Sequence, residues 1–188
     1  MSGAFVTDVR RCAEKYSSRK TLGPLLLDNR GLQALLAYRL GRYLLHGRHG
    51  KHRYYAWLLW PIGWPVYYLL SRYVRAAFDI RLELSADIGP GLYIGHFGAI
   101  RVRRCRIGEY CSIGRLTDIG PAGDGPGPVI GDRVWMGLHV HILGNYRVGS
   151  GATVSAGTVV QRDIPAGALV LGNPARLVWR NYDNRRFL

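Results

Sequence analysis

Cysteine is scarce in this sequence, and its cysteines form no recognisable set. The chain of 188 residues contains Cys12, Cys105 and Cys111, with no CxxC pair among them. An odd number of cysteines without a paired motif argues against a disulfide framework and fits a reduced compartment. The amino-terminal residues also lack an apolar core followed by a cleavage site. We therefore expect no signal peptide and a cytoplasmic location.

Acidic residues are few, and their scarcity gives the chain a strong positive charge. There are 12 Asp and Glu against 26 Lys and Arg, for a formal net charge of +14. The imbalance is greatest in residues 1–79, with 4 acidic against 13 basic side chains. Such a charge attracts nucleic acid, anionic lipid or phosphorylated cofactors, or it serves as a solubilising surface. We expect no nucleic-acid binding, because the basic residues are dispersed and form no recognised motif.

Charged residues are absent from residues 54–71, a stretch of 18 positions. A membrane-spanning helix needs about 20 apolar residues, so this stretch is borderline. Pro61, Gly63 and Pro65 at its centre predict a kink or break, and both flanks are basic. Its tryptophans and tyrosines favour a lipid–water interface. We predict a bent pair of short helices in one leaflet, at the inner face of the cytoplasmic membrane. The alternatives are a helical pair packed against the protein or a sister subunit, and a true span.

Apolar residues at helical spacing predict one amphipathic helix over residues 31–47. The stripe consists of Leu32, Leu35, Leu36, Leu40, Tyr43 and Leu44. Together with the stretch that follows, this helix predicts a helical region over residues 1–79.

From Ile88 onwards an aliphatic residue recurs every six positions, usually with glycine directly after it. The positions are Ile88, Ile94, Ile100, Ile107, Ile113, Ile119, Ile130, Met136, Ile142, Val148 and Val154, with an end near Val160. One residue is extra after Ile100, and residues 121–129 interrupt the series. The period does not match a helix, but it suits a strand of about four residues and a corner of about two.

Three such sides close a coil of about 18 residues, and stacked coils form a β-solenoid. The aliphatic residues fill its interior, and glycine relieves the backbone at each bend. A second small or apolar residue follows four positions after many of the aliphatic ones. This pattern places Cys111 inside the solenoid and argues against a redox role for it.

These motifs resemble a known family. The repeat, with "IGDRVWMG", "GLYIGHFGAIRV" and "GNPAR", resembles the left-handed parallel β-helix (hexapeptide-repeat) acyltransferases. Within them it resembles the serine acetyltransferase branch, and also O-acetyltransferases of polysaccharide biosynthesis. "GLQALLAYRLGRYL" is similar to the helix that precedes the β-helix in that branch. The resemblance implies a mainly β fold, with a left-handed β-helix over residues 80–178 and a tail over 179–188. It also implies an acetyl-CoA-dependent enzyme, usually a homotrimer with active sites between neighbouring β-helices.

The resemblance makes His96 the candidate general base, because the family's catalytic histidine lies in the coil resembling "GLYIGHFGAI". A neutral imidazole can take the proton of a hydroxyl as it attacks a thioester carbonyl. In the relatives an earlier acidic residue orients the imidazole, but the corresponding position here is Arg81. Glu83, on the same face of the strand, is the candidate substitute, and Asp79 is the next.

The acceptor is predicted from what the site lacks. Serine acetyltransferases carry an Asp directly before this histidine and an Arg-His pair in the interrupting loop. This chain has Gly95 and "PAGDGPGPV" instead. Without those charges a zwitterion has no visible binding groups. We therefore predict a sugar hydroxyl of a surface polysaccharide as the acceptor, contacted by Gly95, Asp118 and Asp124. The alternatives are serine O-acetylation for cysteine synthesis and a non-catalytic β-helix scaffold.

Small residues and arginines towards the end of the repeat are the candidates for binding acetyl-CoA. Glycine and alanine let backbone amides approach the pantetheine, and arginines can meet the phosphates. The candidates are Gly120, Gly137, Ala156, Gly157, Arg162, Asn173 and Arg176. His139 and His141 could bind a metal in principle, but no third ligand is evident in the sequence, and we expect no metal.

Overall fold

The computed structural model of the chain describes residues 2–15, 25–26, 28–46, 53–95 and 98–188, apart from the side chains of residues 2, 46 and 53–60. Helices come first and short strands follow. The helices are α1 (Ser2–Lys15), α2 (Arg30–His46) and α3 (Arg53–Phe78). Helix α2 is the one predicted over residues 31–47.

Helix α3 is continuous, so the predicted division into two short helices is wrong. It contains Pro61 and Pro65, and both side chains are exposed. A proline removes one backbone hydrogen bond of the helix. On the outer side of a helix the freed carbonyl group can bond to water instead, so the helix continues. None of the described helices is long and apolar enough to cross a membrane.

Two glycines allow α2 and α3 to pack closely. A methyl group on Gly41 would lie 2.6 Å from the ring of Tyr67 and 2.6 Å from Leu84. A methyl group on Gly63 would lie 2.7 Å from Leu44. Because packed interiors have little spare volume, a larger residue at either position would push the helices apart.

The strands form a parallel β-solenoid of three sheets, which confirms the predicted hexapeptide-repeat fold. Sheet A contains β1 (Ile80–Leu82), β4 (Ile100–Val102), β7 (Asp118–Gly120), β10 (His141–Leu143) and β13 (Val159–Val160). Sheet B contains β2 (Asp87–Ile88), β5 (Arg106–Ile107), β8 (Val129–Ile130) and β11 (Arg147–Val148). Sheet C contains β3 (Tyr93–Ile94), β6 (Ser112–Ile113), β9 (Trp135–Met136), β12 (Thr153–Val154), β14 (Leu169–Leu171) and β15 (Arg176–Trp179).

The aliphatic positions of the repeat stack on one another inside the solenoid, with one difference from the predicted register. Val102 pairs with Ile119, whereas Ile100 pairs with Ile80. Both Ile100 and Val102 are fully buried, and Arg101 between them is exposed. Strand β4 therefore carries two inward side chains, which accommodates the extra residue of the repeat.

The solenoid continues beyond the end of the regular repeat near Val160, within the range 80–178 expected for the β-helix. Ile164 pairs with Val148 and Val170 pairs with Val154, and both added residues are buried. The six-residue period breaks here, because Ile164 follows Val160 after four positions. This shortened side ends the regular spacing in the sequence while the coils go on stacking.

The small or apolar residues that lie four positions after the aliphatic ones also point into the solenoid. The members Cys111, Val134, Val140, Ala152 and Thr158 are fully buried. Burial raises the pKa of the Cys111 thiol to about 11 and that of the Cys105 thiol to about 12. Thiols of this kind carry little thiolate at neutral pH, in agreement with the absence of a redox role expected for Cys111.

The glycines after the aliphatic positions serve a different purpose from the predicted one. A methyl group on Gly114 would lie 2.5 Å from the carbonyl oxygen of Gly137 in the next coil. The left-handed backbone occurs at later positions of the turns, such as Leu116 with φ 60° and Gly157 with φ 71°. Glycine at position 114 therefore permits the close approach of successive coils.

Buried ionic contacts hold helix α1 against the first coil. The carboxylate of Asp8 accepts N–H bonds from Gly91 at 2.6 Å and Leu92 at 3.1 Å, and a bond from Arg39 at 3.0 Å. Burial raises the pKa of Asp8, while the Arg39 guanidinium and the two amides act in the opposite direction. The buried Arg11 guanidinium donates to the carbonyl oxygen of Gly91. The helix and the solenoid thus share one polar network.

Side chains of helix α2 cover the open edge of sheet B. The Tyr38 hydroxyl donates to the carbonyl oxygen of Ala86 at 2.8 Å and accepts the N–H of Ile88 at 3.2 Å. Arg39 donates to the carbonyl oxygens of Ile88 and Gly89 at 2.6 Å each. At the far end of the solenoid the antiparallel strand β15 covers β14. Backbone groups at the first strand of sheet B and on β14 are thereby paired.

The carboxyl-terminal tail folds back along the solenoid. The buried Asn184 amide donates to the carbonyl oxygens of Arg133 at 2.9 Å and Gly151 at 3.0 Å. The ring centroids of Phe187 and Trp135 lie 4.8 Å apart. These contacts fix the tail across two successive coils.

Candidate active site

The turns that join sheet C to sheet A stack into a column, which we call the C–A corner. Its described parts are residues 95, 98–99, 114–117, 137–140 and 155–158. The turn 172–175 joins β14 to β15 within sheet C, and it continues the column because it bonds to the backbone of Val159. Backbone hydrogen bonds connect the turns: Leu116 N–H to Gly98 at 3.1 Å, His139 N–H to Arg115 at 2.8 Å, and Gly157 N–H to Leu138 at 2.8 Å. The corner is therefore a regular ladder.

Free backbone donors line this ladder. The N–H groups of Arg115, Leu138 and Ala156 have no hydrogen-bond partner among the residues that the structure describes. They hold equivalent positions in successive turns, so neighbouring donors are spaced by the coil repeat of about 4.8 Å. All three residues are exposed. The row can therefore bind carbonyl groups of an extended ligand.

The predicted base His96, like the residue after it, lies outside the described residues. The residues on either side are described. Gly95 N–H donates to the carbonyl oxygen of Ile113 at 3.2 Å, and the carbonyl oxygen of Gly98 accepts from Leu116. Both flanking residues thus belong to the first turn of the C–A corner. The role of His96 stays a prediction.

Glu83, the predicted partner of the base, follows β1 and is exposed. Its carboxylate accepts a hydrogen bond from the Ser85 hydroxyl at 2.9 Å. It borders a pocket of about 210 Å³ between α2, α3 and β1, which Arg75 also lines. Asp79, the second candidate, forms an ion pair with Arg81 at 3.5 Å. The roles of both acids stay predictions.

The predicted acetyl-CoA ligands fall into two groups. The group at the C–A corner consists of Gly137, Ala156, Gly157 and Asn173, with Arg176 directly after it. Gly120 and Arg162 lie at the other end of sheet A, where the chain turns towards sheet B. Gly120 is buried, and a methyl group on it would lie 2.8 Å from Cβ of Arg103. The structure therefore brings the first group together and leaves the other two residues apart from it.

The two aspartates predicted to contact the acceptor lie at opposite ends of β7. Asp118 follows the C–A corner directly and forms an ion pair with Arg103 at 3.3 Å. Asp124 is exposed in the loop after β7, where its carbonyl oxygen accepts a bond from Arg104 at 2.7 Å. Asp118 is therefore the nearer of the two to the turn that contains Gly95.

The two histidines considered as metal ligands lie side by side, with ring centroids 5.1 Å apart. His139 belongs to the C–A corner, and His141 begins β10. Within the described ranges, no three His, Cys, Asp or Glu side chains converge in a way that could hold a metal ion.

Arg115 is a residue of the corner that the sequence reasoning passed over. It is exposed, and its guanidinium has no ion pair or hydrogen bond in the described part of the chain. The pairing of Ile94 with Ile113 puts the turn of Arg115 directly beside the turn that contains Gly95. Counting the repeat from one coil to the next would have identified it.

Comparison with known proteins gives the family. No family model matches the chain. The chain is 30% identical over 177 residues to the serine acetyltransferase of Helicobacter pylori, covering 92% of this chain and 95% of that protein. Soybean serine acetyltransferase complexed with serine has a TM-score of 0.73 at 30% identity, covering 93% of this chain and 68% of that one.

A serine acetyltransferase from Brucella abortus in complex with coenzyme A has the same fold. Its TM-score is 0.76 at 23% identity, covering 96% of this chain and 68% of that one. Other curated relatives are longer, and the chain spans between 45% and 70% of the length of four of them.

The predicted sugar acceptor is wrong, because the relatives and solved structures are serine acetyltransferases. The resemblance to polysaccharide-biosynthesis enzymes is not confirmed. The prediction rested on the glycine at position 95 and on a loop without Arg and His. Missing charges at those positions do not exclude a charge from a neighbouring coil, and Arg115 lies in the turn directly beside that of Gly95.

The predicted enzyme class, an acyltransferase that acts as an O-acetyltransferase, is confirmed by the same relatives. The match to the Helicobacter protein runs along nearly the whole of both chains and includes the helices as well as the solenoid. The chain therefore belongs to the serine acetyltransferase family.

Proposed function

We propose that this chain transfers the acetyl group of acetyl-CoA to the hydroxyl of L-serine, the step that supplies O-acetylserine for cysteine synthesis. The observation that carries the proposal is the nearly full-length similarity to the Helicobacter serine acetyltransferase. The soybean structure with serine and the Brucella structure with coenzyme A support the two substrates.

In the proposed reaction His96 takes the proton of the serine hydroxyl as the oxygen attacks the thioester carbonyl. The negative charge that develops on the carbonyl oxygen needs N–H donors. Collapse of the intermediate breaks the carbon–sulfur bond, and the coenzyme A thiolate receives the proton from His96. The acetyl group is thus transferred directly, without an acyl-enzyme.

The C–A corner offers donors for this chemistry. The free N–H groups of Arg115, Leu138 and Ala156 suit the carbonyl groups of an extended pantetheine arm and the developing oxyanion. The guanidinium of Arg115 suits the carboxylate of serine, because its planar N–H groups match a carboxylate in a bidentate pair.

An acceptor assay tests the proposal. With labelled acetyl-CoA, the purified chain should acetylate L-serine far faster than carbohydrate acceptors, because the family acts on this hydroxyl. The same assay with Arg115→Gln should show a raised KM for serine and an unchanged KM for acetyl-CoA. Absence of O-acetylserine under conditions where acetyl-CoA binds would contradict the proposal.

Replacing Ala156 with Phe should raise the KM for acetyl-CoA about 10- to 100-fold, equivalent to about 1.4–2.8 kcal/mol. The larger side chain would cover the free N–H at the C–A corner. Ala166→Phe is the matched control, because Ala166 is also exposed and also precedes a left-handed glycine, but lies at another corner. Equal effects of the two changes on the KM would argue against a donor site at the C–A corner.

Assembly and location complete the proposal. We propose that the chain forms a homotrimer, whose shared sites would lie between neighbouring solenoids. We also propose a cytoplasmic location, with the chain held at the inner membrane face; the composition and the apolar segment within α3 support it.

A further inference from the structure

We propose that the outer face of helix α3 lies on an anionic lipid surface, parallel to the membrane plane. This contact goes beyond acetyl transfer, and it would stand whichever hydroxyl the enzyme acetylates. It is carried by three observations on α3: apolar residues on both of its faces, the strong exposure of one face, and the distribution of charge around it.

Helix α3 is apolar on its buried side and on an exposed side as well. The side towards α2 and β1 carries Gly63, Tyr67, Leu70, Val74 and Phe78, which are buried or half-buried. The exposed apolar side carries Ile62, Pro65, Val66, Leu69 and Tyr73. A helix at the surface of a water-soluble protein is expected to have a polar outer face. On this helix a large part of the outer face is apolar, with Arg72 and Arg75 exposed beside it, so the face calls for an apolar or interfacial partner.

The exposure of the outer face is large. Leu69 is 69% exposed, Ile62 is 66% exposed and Tyr73 is 53% exposed. The three residues follow one another at intervals of seven and four positions, so they form one stripe along the helix. A contiguous exposed apolar patch of this kind marks a surface that binds a membrane or another protein.

The charge around the stripe favours a lipid surface. Between Asp28 and Asp79 the sequence contains eight Lys and Arg and no acidic residue. Arg72 and Arg75 are exposed on α3 itself, and the Arg72 guanidinium lies 5.8 Å from the centre of the Tyr68 ring. Cations beside an apolar stripe with tyrosines are the composition of helices that lie in the headgroup region of anionic bilayers.

A second copy of this chain fits the face less well. Two such faces in contact would bring two sets of arginines together with no acidic side chain from the same segment to balance them. Like charges brought together across an interface oppose association. An anionic lipid surface has the opposite charge, and it gains from every arginine near the headgroups.

The fold sets the orientation of the helix. Because the inner side of α3 packs on α2 and on the first strand, the helix stays attached to the body of the protein. Contact through the outer face therefore lays α3 flat on the surface. It also brings the first coil of the solenoid, which carries the predicted base, near the lipid headgroups.

Vesicle flotation tests the proposal with the full-length chain. The protein should float with vesicles of phosphatidylcholine mixed with phosphatidylglycerol, and much less with phosphatidylcholine alone, and added salt should weaken binding. The double variant Ile62→Gln, Leu69→Gln should bind at least about tenfold more weakly, because each replaced side chain loses its burial in the acyl boundary. The Arg72→Gln, Arg75→Gln variant should lose the preference for the anionic vesicles.

The control is Val178→Gln, which changes a residue 55% exposed on β15 at the far end of the solenoid. It should float like the wild type. Circular dichroism and the KM for acetyl-CoA confirm that each variant is folded. Equal flotation of the wild type and the Ile62→Gln, Leu69→Gln variant would overturn the proposal. Failure of the wild type to bind the anionic vesicles would also overturn it. If sedimentation then showed a change in the oligomeric state of the Ile62→Gln, Leu69→Gln variant, the exposed face would be a contact between copies of the chain.

Discussion

Replacing His96 with Ala should lower kcat for acetyl transfer to L-serine by about 10²- to 10⁴-fold, the usual contribution of a general acid–base group. The hydroxyl of serine is a poor nucleophile at neutral pH, and the variant has no imidazole to take its proton. The KM for acetyl-CoA should change little, because the free N–H groups of the C–A corner belong to the backbone. Steady-state release of the coenzyme A thiol measures both quantities.

His139→Ala provides the control for this experiment. His139 is an exposed histidine of the C–A corner, and its ring lies next to His141. Its removal should leave kcat close to the wild-type value. If His96→Ala retained full activity while His139→Ala did not, the base would have been assigned to the wrong coil.

Replacing Asp8 with Ala should lower the free energy of unfolding by about 3–5 kcal/mol, the cost of removing one partner of a buried ion pair. The change leaves Arg39 without its counter-charge and removes the acceptor of the Gly91 and Leu92 N–H groups. Urea denaturation, followed by circular dichroism, measures the loss. The midpoint should shift with little change in slope if the native fold is kept.

Asp87→Ala is the matched control for Asp8→Ala. The Asp87 side chain is 58% exposed, and it pairs with Arg42 at 3.0 Å and with Arg106 at 3.7 Å. Exposed ion pairs contribute about 0–1 kcal/mol. Similar losses for the two variants would mean that the contacts of Asp8 do not hold α1 against the solenoid.

The fold was predictable because its repeat is written into the sequence at a fixed period. An aliphatic residue every six positions fits the side of a solenoid and does not fit the period of a helix, and the coils stack as that spacing requires. The exact stacking of β4 was not predictable in the same way. Ile100 and Val102 lie on the same face of the strand, so either of them could stack on the aliphatic residue of the next coil. Pairing with a strand on each side decides that both do.

The site was predictable in part. The turn residues Gly137, Ala156 and Gly157 recur with the repeat, and the structure brings them to one corner. The free N–H groups were not predictable, because they depend on which amides the neighbouring coils already bond. The acceptor was predicted wrongly because the inference used missing side chains. The side chains of a neighbouring coil also border such a site, and the inference did not consider them.

Two strands at the ends of the solenoid are covered by other parts of the chain, and this limits how copies of the protein can assemble. A stack of parallel strands is open-ended in principle, and each bare end could serve as a template for another molecule. Here α2 side chains bond to the first strand of sheet B, and β15 closes the last strand of sheet C in the opposite direction. Addition of a strand at these two positions is thereby disfavoured, which favours the sides of the prism for association. The C–A corner is an edge between two of those sides, so two neighbouring copies in a closed ring can both reach it.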